Sequence, residues 1–253
     1  MTRRKKLILR FSLLVVGGVG LVVLANVWKS SLTVDRITVS GNRVVDTNEI
    51  LQLAQVTKGV RLEDVDVREV RNNVAGHYFL KEVVVERDLP ATIKITVIER
   101  TPLAMITGEE ILYVDEEGMV LPHSISEEVF DLPLVTGLGA ASLEAGMLIE
   151  RDDFREALEI LVAAKAINRE LYHRVSEVRL RDGGDLLLYA AEGGIPIIFG
   201  RGNVVRKLVQ LEVFWNEVVV RQGSGRLQQI DLRFEDQIVV RWKESTTKTL
   251  ERL

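Results

Sequence analysis

Eighteen residues from Phe11 to Trp28, FSLLVVGGVGLVVLANVW, pass without a charged side chain. At about 1.5 Å per helical residue they span roughly 27 Å, close to the hydrocarbon thickness of a bilayer. Extending the run back to Leu7 admits only Arg10, whose long side chain can snorkel to the headgroups. The pattern predicts a transmembrane helix over residues 7–28 behind a short tail of residues 1–6. A cleaved signal peptide would end in small residues at an A-x-A-like site, but bulky residues crowd Leu24-Ala25-Asn26-Val27-Trp28, so an uncleaved anchor is expected. Gly17, Gly18 and Gly20 do not make G-x-x-x-G, the spacing that lets two membrane helices approach closely.

Beyond the anchor the periodicities shorten. Over residues 34–100, Ile37-Thr38-Val39 reads as a strand ending in the turn Ser40-Gly41-Asn42. Thr47 is placed to cap a helix through Ile50, Leu51 and Ala54. After Gly59, a second helix from about Asp66 turns Val67, Val70 and Val74 inward and stops at Gly76. Val83-Val84-Val85 and, past Asp88-Leu89-Pro90, the run from Thr92 to Ile98 then form strands. In the second of these Ile93, Ile95 and Val97 alternate with Lys94 and Thr96, so one face is buried and the other wet. The order β-α-α-β-β implies two helices on one face of a three-stranded sheet.

From residue 101 to 242 the pattern is richer in strands. Ile111–Val114 and Met119–Leu121 flank the hairpin turn Asp115-Glu116-Glu117-Gly118, and Leu132–Val135 follows. A helix from about Asp153 to Leu171 places Phe154, Ala157, Leu158, Leu161 and Val162 on one face. Val178–Arg181, Leu186–Tyr189 and Ile195–Phe199 read as strands. A second helix runs from Asn203, a good capping residue, to about Val220. Ile230–Phe234 and Ile238–Trp242 close the pattern as a hairpin around Glu235-Asp236-Gln237, leaving a polar tail over 243–253. The class expected is α+β: a membrane helix, a small β-α-α-β-β domain, then a mixed or antiparallel β-domain with two helices.

Charge sharpens the topology. Arg3, Arg4, Lys5, Lys6 and Arg10 put +5 in the first ten residues, while the remainder holds 28 basic and 37 acidic side chains, a net of −9. Basic residues N-terminal to the apolar run place the N-terminus in the cytoplasm and the bulk of the chain outside it. An acidic bulk has no electrostatic footprint for nucleic acid.

Catalytic chemistry is hard to place. With no cysteine, disulfides, thiolate nucleophiles and cysteine-based zinc sites are excluded. His77, His123 and His173 lack any metal-binding spacing. No G-x-S-x-G occurs, and Ser224 sits in a Gly223-Ser224-Gly225 turn. Asp115-Glu116-Glu117 and Asp152-Asp153 fall in a turn and at a helix start, where they serve solvent or the helix dipole. The strand running into Gly200-Arg201-Gly202-Asn203 imitates a phosphate-binding loop, but Val205 stands where a third glycine is needed, and no βαβ units surround it. No enzyme activity, cofactor, metal or small-molecule substrate is expected.

The residues carry a family resemblance. V-x-G-N at Val39–Asn42, the Gly59 break, V-x-R-D-L-P at Val85–Pro90 and E-R-x-P at Glu99–Pro102 resemble a POTRA domain, that of the FtsQ/DivIB family of bacterial cell-division proteins. The Gly200–Asn203 turn and the I-D-L-R-F run at Ile230–Phe234 resemble that family's β-domain. Such a resemblance implies a protein of the bacterial inner membrane, found at the division septum, that recruits and regulates other division proteins. In the family the last β-domain strand adds to a strand of the small membrane protein FtsB, itself a coiled-coil partner of FtsL. Carried over by position, that surface is Arg233, Phe234, Ile238, Val239, Val240, Arg241 and Trp242, with Arg233 suited to pair with a partner carboxylate. The POTRA domain is a second candidate surface.

Sheet edges offer unpaired N–H and C=O groups to another chain, and the last hairpin is the natural candidate here. Ile238, Val240 and Trp242 are expected on one face and Val239 and Arg241 on the other. Proline at Val239 or Arg241 is expected to discriminate an edge-facing N–H from one bonded within the sheet. Two other readings compete: a POTRA-bearing secretion or outer-membrane assembly protein, which would usually precede a long β-barrel, and an anchored cell-wall enzyme, which needs a constellation not found.

Overall fold

The computed structural model describes residues 3–107, 110–123, 131–139, 143–235 and 237–243. Its first element, helix α1 (Arg3–Ser30), contains an 18-residue window, Leu13–Ser30, apolar and long enough to cross a membrane. Leu13, Leu21 and Leu24 are each about two-thirds exposed or more, as expected of side chains whose solvent is lipid rather than a protein core. The chain divides into two compact units, one ending at Glu99 and the other beginning at Arg100.

In the first unit strand β1 (Arg36–Ser40) precedes helices α2 (Thr47–Ala54) and α3 (Val67–Ala75), and strands β2 (Leu80–Asp88) and β3 (Thr92–Glu99) follow. The sheet order is β1-β3-β2, with β1 parallel and β2 antiparallel to β3. Ile93, Ile95 and Val97 on the central strand and Ile50, Ala54, Val70 and Val74 on the helices are all buried and make the core of this unit. Helix α2 is capped by Asp46, whose carboxylate accepts from the Asn48 N–H, so Thr47 is the first helical residue rather than the cap. Asp66 caps α3 through the Arg68 and Glu69 N–H groups. These bonds hold the Asp66 carboxyl below its ordinary range.

The motifs of this unit are packing devices. Gly41 has φ +91°, and a Cβ there would lie 2.0 Å from the Val97 carbonyl oxygen, so only glycine fits. Asn42 donates to the Val45 carbonyl and the Thr47 hydroxyl. The Glu99 carboxylate accepts from the N–H groups of Arg43, Val44 and Val45 at 2.9 Å in each case. Glu99, the first residue of E-R-x-P, therefore closes the loop that immediately follows V-x-G-N. Arg87, from the third motif, donates to the Val65 carbonyl at 2.6 Å.

Among the described residues the second unit has nine strands: β4 (Pro102–Thr107), β5 (Ile111–Asp115), β6 (Val120–Pro122), β7 (Leu134–Thr136), β8 (Val175–Leu180), β9 (Leu186–Ala190), β10 (Pro196–Gly200), β11 (Leu227–Asp231) and β12 (Val239–Trp242). They form one mixed sheet in the order β12-β11-β10-β9-β8-β7-β4-β5-β6. Strand β4 escapes the sequence pattern because Leu103, Ala104 and Ile106 are buried with no clean alternation, as in strands covered on both faces. The long helix expected from Asp153 is two, α4 (Asp152–Ile167) and α5 (Arg169–Arg174). They are separated at Asn168, whose side chain caps α5 by accepting from the Glu170 N–H. Val162, expected inward, is 37% exposed, while Ile160 and Ala164 are buried.

Helix α6 (Val204–Phe214) continues through a π-helical stretch, Trp215–Val219, to Gln222. Its buried Leu208, Leu211 and Trp215 join Phe154 and Leu161 of α4 over the sheet. Asn203 precedes it at φ +55° but makes no side-chain capping bond, so its part is conformational. Asn is among the few residues that tolerate this left-handed region.

Candidate partner-binding edge

The two ends of the nine-stranded sheet differ. At one end, β6 is closed by the segment 146–149. Gly146 N–H donates to the Val120 carbonyl and Val120 N–H to the Met147 carbonyl, both at 2.8 Å, and Ile149 N–H reaches the Gly118 carbonyl at 3.1 Å. At the other end lies β12. It pairs antiparallel with β11, and no described strand lies beyond it.

The direction of the β12 backbone groups follows from its register. Lys243 N–H donates to the Arg226 carbonyl at 2.8 Å, so position 243 faces β11. Backbone direction alternates along a strand, so Arg241 and Val239 also face β11. Val240 and Trp242 turn their N–H and C=O groups to the open edge. On the neighbouring strand, Leu232 N–H donates away from β12 to the Ile198 carbonyl, which puts Ile230 facing β10 and Asp231 facing Val239, in agreement. Val239 and Arg241 stand two residues apart and so share one direction, which corrects the expectation that one of them faces the edge.

Side chains alternate as the sequence implies. Val239 and Arg241 are exposed on one face, while Ile238, Val240 and Trp242 are half-buried against the core. The cross-strand row ending at Val240 is informative. Val135, Val178, Leu188, Ile197 and Ile230 pair in succession across the sheet, each at most 1% exposed. Val240, the sixth member, is only half-buried because no described strand lies on its outer side.

The connection from β11 to β12 is held from within. Asp231, 6% exposed, accepts from three donors of Arg233: the backbone N–H at 3.0 Å, Nε at 3.0 Å and Nη2 at 2.7 Å. Those bonds from the Arg233 side chain are the main reason its carboxyl sits below the ordinary range. The aliphatic part of Arg233 lies where Gly200 leaves room, since a Cβ at 200 would come within 2.7 Å of its Cγ. The turn after β10 is equally occupied. Glu156 accepts from the Gly202 N–H at 2.5 Å and pairs with Arg201, while Lys207 Nζ donates to the Phe199 and Arg201 carbonyls at 2.8 Å. Burial lowers the Lys207 pKa. A carboxylate of the chain itself thus stands at the start of α6, where a phosphate would sit in a nucleotide-binding loop.

Comparison with known proteins places this arrangement. Residues 32–100 match the POTRA domain, FtsQ-type, and residues 101–241 match FtsQ/DivIB, C-terminal related. The chain belongs to the FtsQ/DivIB family. It is 32% identical over 238 residues to the cell division protein FtsQ of Rhodothermus marinus, covering 90% of this chain and 85% of that one. With the cell division protein FtsQ of Salinibacter ruber it shares 30% over 239 residues, 90% of each chain. With that of Geotalea daltonii it shares 27% over 207 residues, covering 82% and 74%. It is a cell-division protein, and α1 fits a membrane anchor.

Of the residues expected at the partner surface, Val239, Val240, Arg241 and Trp242 form β12 itself, and Ile238 adjoins it. Arg233 and Phe234 do not extend β11, which ends at Asp231. They lie in the connection, with Phe234 46% exposed and Arg233 bonded to Asp231. Asp231 and Gly200 were missed as determinants of that connection. The signal for the first was Asp-x-Arg, which puts two opposite charges on one side of an extended chain. The tail beyond Lys243 lies outside the described residues. Among those residues, no group of three or more His, Asp and Glu side chains is placed to hold a metal ion.

Proposed function

We propose that this protein is a non-enzymatic scaffold of the division septum, anchored by α1 with its N-terminus in the cytoplasm and both compact units exported. In this reading the exported part captures another division membrane protein, of the FtsB or FtsL kind, by strand addition at β12. The observation that supports it best is the asymmetry of the nine-stranded sheet. The β6 end is covered by the chain's own backbone, while at the β12 end no described residue pairs with the edge-facing N–H groups of Val240 and Trp242, beside a half-buried apolar row. Natural sheets cover such an edge, pair it or blunt it with charge; Arg241 is the single charge within β12, and it points along the outward face and leaves the backbone groups open to a partner. Main-chain bonds from an added strand supply affinity, and side-chain pockets supply selectivity.

The test is co-purification of the full chain with a co-expressed FtsB-like protein. Val240→Pro removes an edge-facing N–H without breaking a bond to β11 and should abolish capture in a folded protein. Normal capture by that variant excludes β12 as the interface. A fluorescent fusion should form a ring at midcell, and uniform envelope signal would contradict a septal role.

A further inference from the structure

We propose that the segment added to β12 is acidic on its outward face, carrying a carboxylate against Arg241, and apolar on its inward face beside Val240 and Trp242. This rests on strand addition as the mode of binding and specifies the chemistry of the segment.

Arg241 is exposed on the outward face and has no hydrogen bond or ion pair among the described residues. Its neighbours explain why. Across the strand pair stands Gln229, which carries no charge. The nearest carboxylate on β11, Asp231, opposes Val239 and is already saturated by Arg233. Two residues on, Lys243 adds a second cation on the same face, its Nζ tied to the Gly225 carbonyl at 3.1 Å. The open edge is therefore locally positive in a unit whose other arginines are mostly paired, Arg100 with Asp115, Arg151 with Asp153 and Arg174 with Glu212 among them.

The backbone direction makes this charge count. Val240 and Trp242 face outward, so in an antiparallel addition they occupy the hydrogen-bonded pairs. Arg241 then falls in a non-hydrogen-bonded pair, where opposed Cα atoms are only about 4.5 Å apart and side chains meet most closely. Opposite charges at such a position attract, and like charges repel. On the inward face the row ending in Val240 needs one more apolar neighbour to reach the burial of its other members. An alternating segment with valine-like residues inward and a glutamate or aspartate outward satisfies both faces at once.

The probes are three fluorescent seven-residue peptides with valine at the inward positions and glutamate, glutamine or lysine at the central outward one. Each is titrated by anisotropy against the full chain in detergent. The glutamate peptide should bind about three- to tenfold more tightly than the lysine peptide, with glutamine between. Arg241→Glu should invert that order, Arg241→Gln should flatten it, and raising the salt should narrow it. Val240→Pro should lose all three peptides. Equal binding of the three by the parent and Arg241→Glu, with loss in Val240→Pro, overturns the acidic selection and leaves strand addition standing. If no peptide binds, or Val240→Pro binds them all, strand addition falls and the acidic selection with it.

Discussion

Asp231 and Arg233 show how two neighbouring side chains can set the path of a connection between strands. Their bonds fix the path from β11 into the connection that leads to β12. Asp231→Ala should cost about 1–2 kcal/mol, because a buried acceptor and its charged donor are separated while the exposed guanidinium regains water. Denaturant unfolding of the full chain in detergent should show this as a lowered midpoint. The pH dependence has a definite sign. The folded carboxyl titrates below its ordinary value of 3.8, so its contribution is complete above that value and is lost as the pH falls through the lower folded value. Asp231→Asn should remove that part of the acid sensitivity. In the first unit, Gly41→Ala should be far more costly, because the new Cβ meets the Val97 carbonyl at 2.0 Å in a backbone conformation alanine resists. A variant as stable as the parent would show that the 41–45 loop can move away from β3.

At the scale of elements, proline scanning distinguishes the two sides of β12. Val239→Pro removes an N–H that faces β11 and should destabilise the second unit, whereas Val240→Pro should leave thermal unfolding near the parent value. Equal destabilisation by both would place β12 inside a wider sheet. The strand was legible in the sequence because Ile238, Val240 and Trp242 alternate with Val239 and Arg241, and a period of two survives wherever one face is wet. Its position at a sheet edge has no signal in the sequence pattern itself. The parallel pairing of β10 with β11 could not be read, since it depends on the helix between them returning the chain in the same direction. Strand β4 was invisible for the opposite reason to β12: burial of nearly every residue erases the alternation. The break at Asn168 carried a signal, an asparagine two residues before an acid, but a continuous apolar stripe outweighed it.

At the scale of the whole molecule, charge and hydropathy together decide orientation. Five basic residues stand in the first ten positions, N-terminal to the apolar window Leu13–Ser30 and without an acid among them, and an acidic bulk follows. A C-terminal alkaline phosphatase fusion should be active and a C-terminal green fluorescent protein fusion dark when exported unfolded; the reverse would invert the topology. The most direct measurement for a strand-adding scaffold is amide hydrogen exchange of the full chain, alone and with a co-purified FtsB-like partner. Protection should rise at Val240 and Trp242, whose N–H groups face the open edge, with little change at Val239 and Arg241, already bonded to β11. Unchanged exchange at Val240 and Trp242 in a saturated complex would contradict strand addition at this edge.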